Sequence, residues 1–436
     1  MKFFYFFAII LCVKTFAFST NIKINPDSLT KKTKVKNNRI KHIKEYTFKL
    51  NLNNNYKDIE DLKPYLEDKK IIFLGESFHR IKEYNQIKVK IIKYLVNELG
   101  FEIVLFESGL WESYITNYFK DSLSQSEILN NAIYPLWHTS HIKDLISFIK
   151  EKEIDFGGFD YQSTFTYGQS LTKKYFEKID KPIANEILRA DSLYGIYFGI
   201  ISKIAVTRKH KVNKNNIFTR DSLKQVCNAN YLNLIDSMCK IKYKFNDTIF
   251  YNSFMFNLKN KLNVINNLSK YFQFSYIKKH SLYRDEVMAY NFEYLVNNIY
   301  RDKKIIVWAH NSHIAKMPEY FNTIKLDQIY RIGLYMYSGR RTISLYGDSI
   351  INLKKPHPNS IEEIIHNSGY NITFVDFLRH TQKNKYNSWM FNKIPSFVSG
   401  TQKQKIIPKK CYEGVILIND VNPSELDNSW RQCIKE

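Results

Sequence analysis

Four short apolar runs constrain this chain most, because each one ends in residues able to carry a charge or a proton. Ile71–Leu74 leads into Gly75-Glu76-Ser77-Phe78-His79, Ile103–Phe106 into Glu107, Phe156–Phe159 into Asp160, and Ile305–Ala309 into His310 and His313. Continuous runs of β-branched and aromatic residues of this length read as strands buried on both faces. Between the first two, Asn85–Leu99 sets Ile87, Ile91, Ile92, Leu95, Val96 and Leu99 at helical spacing, and Gly100 closes the helix. Strand, helix and strand with tight links form a βαβ unit, which makes the two strands parallel.

The rest of the chain follows the same plan. Asp58–Leu66 reads as a short helix, and Trp111 to Lys150 is helical. From about Thr164 to Asn298 helical patterns dominate and no strand is predicted; the last helix runs over Asp285–Ile299. Thr342–Tyr346, Ile372–Phe377 and Gly414–Ile418 are further candidate strands. The expected fold class is α/β: a mostly parallel sheet flanked by helices, with a large, mainly helical region in the middle of the chain.

In a parallel α/β sheet the carboxyl ends of the strands share one edge, where ligands bind. Glu76, His79, Glu107, Asp160, His310 and His313 therefore converge on one pocket. Gly75 is expected to let the backbone turn, with Glu76 and His79 on one face of a first helical turn. Plainer readings stand beside this one. Glu107 either caps a helix or takes part in chemistry, Asp160 supports its loop, and either histidine can be a satisfied structural residue. Asp285 is placed as a helix N-cap, while Arg284 is either an anion ligand or a surface charge. Trp137, His138 and His141 read as packing. Ser77 and Ser108 lack a Gly-x-Ser-x-Gly context, which argues against a serine nucleophile.

Compartment is written at the start of the chain. Met1-Lys2, the apolar run Phe3–Val13 and Ala17-Phe18-Ser19 form a secretory signal peptide over residues 1–19. Residues 20–45 read as a basic flexible arm and 46–436 as the folded domain, exported to a secreted or periplasmic location. No later run is apolar enough to span a bilayer. The formal charge of +23 suits either a polyanion partner or many scattered surface lysines, and no nucleic-acid-binding motif accompanies it. In an oxidising compartment Cys227–Cys239 and Cys411–Cys433 are possible disulfides, or the four are buried thiols.

These residues carry a resemblance. Leu74-Gly75-Glu76-Ser77-Phe78-His79, Glu83 and Lys88 on the next helix, Phe106-Glu107-Ser108, Gly158-Phe159-Asp160, Arg284-Asp285, Trp308-Ala309-His310-Asn311-Ser312-His313 and Tyr412-Glu413-Gly414 resemble the erythromycin esterase family. The resemblance implies a metal-independent hydrolase with a wide cleft, a small-molecule substrate and no cofactor. His79 would be the general base, Glu76 and Glu107 would orient the imidazole or the water, and His310 and His313 would polarise the substrate. Arg284, Lys88 and Asp160 would touch the substrate. Lys88 stands where the macrolide-cleaving members usually carry arginine, so the substrate is left open between ester, lactone and related bonds. No nucleic-acid partner is expected, and the chain is expected to be a monomer. Competing readings are a metal-dependent hydrolase or peptidase built on the same carboxylates and imidazoles, and a non-enzymatic envelope protein that binds a ligand.

Overall fold

The computed structural model describes residues 43–427, apart from 54, 163–167, 207–213 and 272–276. The signal peptide, most of the basic arm and Cys433 lie outside the described residues. Eleven strands occur among those described: β1 Thr47–Leu50, β2 Ile71–Leu74, β3 Ile103–Gly109, β4 Asp155–Asp160, β5 Ile305–Trp308 and β6 Ile329–Thr342, then β7 Ile350–Asn352, β8 Ile372–Asp376, β9 Ile394–Val398, β10 Gln402–Ile406 and β11 Gly414–Val421. Nine form one sheet, ordered β1-β8-β11-β6-β2-β5-β3-β4, with β7 paired to the end of β6. From β11 to β4 every neighbouring pair is parallel. β8 and β1 extend the β11 edge in antiparallel fashion, and β9 and β10 form a separate hairpin.

The strands alternate sides as the period of two requires. Ile71 and Phe73 of β2 face one core with Val307, Met288 and Phe292. Ile72 and Leu74 face the other with Ile306, Trp308, Ile87 and Ile91. Both faces are therefore covered by helices, which is why the four apolar runs were legible as strands. The helix Lys82–Leu99 ends on Gly100 at φ 68, the left-handed position that glycine takes at least cost.

The expected helical region is present between β4 and β5. It comprises Gly168–Glu177, Lys181–Val206, Lys214–Lys240, Thr248–Tyr271 and Ile277–Tyr294, with a wide turn over Leu295–Ile299 returning to β5. No helix among the described residues is long and apolar enough to cross a membrane.

Three expectations need correction. The central strand β6 was not foreseen, and Thr342–Tyr346 is not a strand, since β6 ends at Thr342. The last helix begins at Ile277 rather than Asp285, because no proline or glycine interrupts that stretch. Cys227 and Cys239 are free thiols on one helix. Twelve residues of α-helix hold them roughly 18 Å apart along the axis, which excludes a disulfide.

Gly75 does not serve a turn of unusual dihedral. Its hydrogen faces a close neighbour: a Cβ there would lie 2.1 Å from Asn311 Oδ1 and 2.6 Å from Ile314 Cδ1. Asn311 cannot give way cheaply, because its side-chain amide donates to Leu334 O at 2.8 Å and accepts from Leu334 N–H at 3.1 Å. Gly75→Ala is expected to destabilise the protein by about 2–3 kcal/mol through overpacking and the loss of these bonds. Urea denaturation measures it; a midpoint equal to wild type would refute this reading of Gly75.

Candidate active site

The loop after β2 first continues the sheet and then leaves it. Gly75 N–H donates to Ile332 O at 2.8 Å and Ser77 N–H to Leu334 O at 3.1 Å, so residues 75–77 still follow β6. The chain then bends through Arg80, at φ 61, before the helix opens at Lys82. Glu76 and His79 thus meet across a bend, not on a helical turn as expected. The far end of the chain stitches this bend in place. Ile81 bridges Pro423, Lys82 N–H donates to Asn422 O at 2.9 Å and Ser424 N–H to Arg80 O at 2.8 Å. Glu83 accepts from Asn422 N–H at 2.8 Å.

Glu76 is fully buried and all its contacts are donors. Its Oε1 lies 2.6 Å from His79 Nδ1 and accepts Trp137 Nε1–H at 2.9 Å. Its Oε2 accepts from Lys88 Nζ at 2.5 Å, and that ammonium lies 3.6 Å from the centre of the Trp308 ring. Burial alone would raise the Glu76 pKa, but Lys88 and the His79 bond hold it down to about 2. For Lys88 burial prevails over the attraction of Glu76, and its pKa falls to about 8. Glu76 is therefore ionised at neutral pH. A carboxylate can only accept, so the hydrogen-bond network puts a His79 proton on Nδ1, and in the neutral tautomer so selected Nε2 carries the lone pair. The His79 side chain is 13% exposed, whereas Glu76 and Lys88 are sealed behind it.

A second network lies beside the first. Arg284 Nε donates to Asp160 Oδ2 at 3.1 Å, and Nη2 reaches the same carboxylate. Nη2 also donates to Glu107 Oε1 at 2.9 Å. Glu107 Oε2 accepts His310 N–H at 2.8 Å. His313 sits between two acids, with Nδ1 2.5 Å from Asp285 Oδ1 and Nε2 3.2 Å from Glu107 Oε1. Burial would lower the His313 pKa, yet Glu107 and Asp285 raise it to about 10 against the opposing charge of Arg284. It is an imidazolium at neutral pH. Burial would raise the Glu107 carboxyl, but His313 and Arg284 hold it well below the usual carboxylate range.

His310 behaves differently. Its Nδ1 accepts Ser312 N–H at 3.1 Å, capping the Asn311–Lys316 helix, and Nε2 lies 3.2 Å from Ser77 O. Burial and the neighbouring His79 push its pKa down to about 3, so it is neutral with both nitrogens engaged. The ring centres of His79 and His310 are 5.2 Å apart, and those of His310 and His313 are 6.3 Å apart.

The structure therefore brings together Glu76, His79, Lys88, Glu107, Asp160, Arg284, His310 and His313. Two of them do not face a substrate. Lys88 and Asp160, expected to contact it, are completely buried, one behind Glu76 and the other behind Arg284. Asp285 is not a cap: it lies mid-helix and holds His313. Trp137, read as packing, reaches Glu76, whereas His138 does pack, 2.8 Å from Ile133 O. Lys88 did carry a signal, since with Tyr84 and Ile92 it falls at four-residue spacing on the buried stripe of its helix. Trp137 carried none, lying 61 residues from its partner. Among the described residues, no group of three or more His, Cys, Asp or Glu side chains is placed to hold a metal ion.

Comparison with known proteins shows the family. Residues 96–421 match the erythromycin esterase family. The Bacillus subtilis (strain 168) protein "Putative hydrolase YbfO" is 28% identical over 406 residues, covering 84% of this chain and 87% of that protein. "Erythromycin esterase type II" of Escherichia coli is 22% identical over 425 residues, covering 88% and 97%. The solved structure of a mutant erythromycin esterase, EreC, in its open conformation superposes with a TM-score of 0.61 at 15% identity, over 87% of this chain and 98% of that one. The chain belongs to the erythromycin esterase family.

Proposed function

We propose that this chain is an exported hydrolase that cleaves an ester, lactone or related bond of a small molecule with water activated by His79. Family membership and the hydrolase and esterase names of its relatives support hydrolysis; the Met1–Ser19 pattern supports export. One observation carries the mechanism. An ionised Glu76 holds the Nδ1 proton of His79 at 2.6 Å, which in the neutral ring leaves Nε2 as the basic atom of a partly exposed side chain. This is the logic of a carboxylate–imidazole dyad.

Water then gives its proton to His79 Nε2 as its oxygen attacks the carbonyl carbon. The tetrahedral oxyanion needs a donor that is already in position. Arg284 Nε and Nη2 are committed to Asp160 and Glu107, and Nη1 lies 3.2 Å from His313 Nε2. Because His313 is an imidazolium, it does not accept from Nη1, and that amino group is the donor left for the oxyanion. On collapse the leaving oxygen takes the proton from His79. In this scheme His313 and Asp285 position Arg284, and His310 forms a neutral wall, so neither histidine acts as a base.

A panel of 4-nitrophenyl esters and lactones, erythromycin included, tests the proposal on wild-type and His79→Ala protein with and without EDTA. Turnover of at least one compound is expected, indifferent to EDTA and about a hundredfold or more lower in the variant. Activity that EDTA removes and added metal restores would overturn the proposal, as would a variant that keeps more than a tenth of it.

A further inference from the structure

We propose that Arg341 recognises a carboxylate on the substrate, so that the preferred substrate is an acidic ester; this rests on the hydrolase reading above. Other buried or partly buried arginines have acidic partners: Arg284 has Asp160 and Glu107, Arg331 has Glu413, and Arg80 approaches Asp348. Arg341 is only 7% exposed, and among the described residues it pairs with no carboxylate. Its Nη1 donates to Thr342 O at 2.6 Å and its Nη2 to Thr401 Oγ1 at 3.0 Å, both neutral acceptors. Its Nε, like the neighbouring Thr342 Oγ1, is buried with no hydrogen-bond partner. Burial lowers the Arg341 pKa, and no acidic neighbour raises it.

Fastening the loop after β6 accounts for the carbonyl contact but not for the charge, since any neutral donor would satisfy those oxygens. A buried cation without a counter-ion is half of an ion pair. Its planar fork is the shape that matches a carboxylate through two parallel bonds.

The position relates this half-pair to the site. The guanidinium lies over the ring of Phe78, 4.4 Å from its centre, and Phe78 directly precedes His79. Thr401 follows the turn through Ser399, whose N–H donates at 2.9 Å to Ser77 O. The same carbonyl oxygen lies 3.2 Å from His310 Nε2. Arg341 thus flanks the histidine cluster on the side of the β9–β10 hairpin. On this reading the ester carbonyl sits at His79 and the carboxylate at Arg341, joined by a short acyl chain.

The experiment compares two pairs of compounds. The esters are 4-nitrophenyl hydrogen glutarate and 4-nitrophenyl pentanoate, and the uncleaved anilides are glutaranilic acid and pentananilide, the latter pair titrated calorimetrically. Wild type is expected to favour the acidic member of each pair at least tenfold. Arg341→Met is expected to lose that preference while keeping turnover of the neutral ester, and Arg341→Lys to retain part of it. Equal treatment of acidic and neutral compounds by wild type would overturn the proposal, as would a preference that persists in a folded Arg341→Met. If Arg341→Met fails to fold, the wild-type ratio and Arg341→Lys decide. An Arg341-dependent preference for glutaranilic acid without ester turnover would keep the anion site and sink the hydrolase reading. Equal, His79-dependent turnover of both esters would do the reverse.

Discussion

His79→Ala is expected to keep the fold and lose about 10² to 10⁴ of kcat, the range a positioned general base supplies. KM should change little, because the proton acceptor acts in the transition state and not in binding. The reason the fold survives lies in the geometry. The imidazole is partly exposed, and its removal leaves Glu76 with Lys88 at 2.5 Å and Trp137 at 2.9 Å. The lost bond accounts for about 1 kcal/mol. Glu76→Gln should inactivate by a different route, by letting Nδ1 accept and thereby shifting the proton to Nε2. Steady-state kinetics beside a thermal melt separate these outcomes from misfolding. A variant that keeps more than a tenth of wild-type kcat removes His79 from the role of base.

Lys88→Met is expected to be the most damaging single change to stability, at about 3–5 kcal/mol, because it strands a buried carboxylate. The wild-type pair shows why removing both charges differs from removing one. Burial depresses Lys88 to about 8 even beside Glu76, so at Lys88 desolvation outweighs the attraction. A double variant, Lys88→Met with Glu76→Leu, should therefore recover most of the stability and none of the activity. Chemical denaturation of the three variants checks this; a double variant as unstable as Lys88→Met would refute it.

The same residue sets a pH limit. Lys88 loses its proton as the pH rises through about 8, and Glu76 then loses its counter-charge, so kcat should fall on that limb. Lys88→Arg cannot deprotonate in this range. It should carry activity further, until His313 discharges at about 10. An alkaline limb that does not move in Lys88→Arg would show that Lys88 does not control it.

The sheet was legible where a strand is uniformly apolar and hidden where it is not. β2 and β5 are four-residue apolar runs buried on both faces. β6 lies beside them in the middle of the sheet, yet Arg331, Gly333 and Gly339 break its pattern. Arg331 is tolerated because Glu413 meets it in a bidentate pair at 2.7 and 2.9 Å, and a Cβ on Gly333 would lie 3.0 Å from the Tyr412 ring. Both partners come from about eighty residues downstream, beyond any local reading. The convergence of Glu76, His79, Glu107, Asp160, His310 and His313 was legible because parallel strand ends share an edge. The division of labour among them was not. It depends on which atoms face which: His310 and His313 look alike in sequence, yet one is held neutral by a backbone amide and a carbonyl and the other charged by two acids.

The stitching of the loop at residues 80–83 by residues 422–424 has a consequence in time. A chain made from its amino terminus presents Glu76 and His79 early, but the strand they lean on, β6, arrives some 250 residues later, and the fastening at Ser424 later still. The Glu76–His79 pair is therefore shaped late, once residues 422–424 have emerged. Until then its residues sit on an unanchored stretch that has no means of holding a proton in place, and a chain still being made is silent by construction.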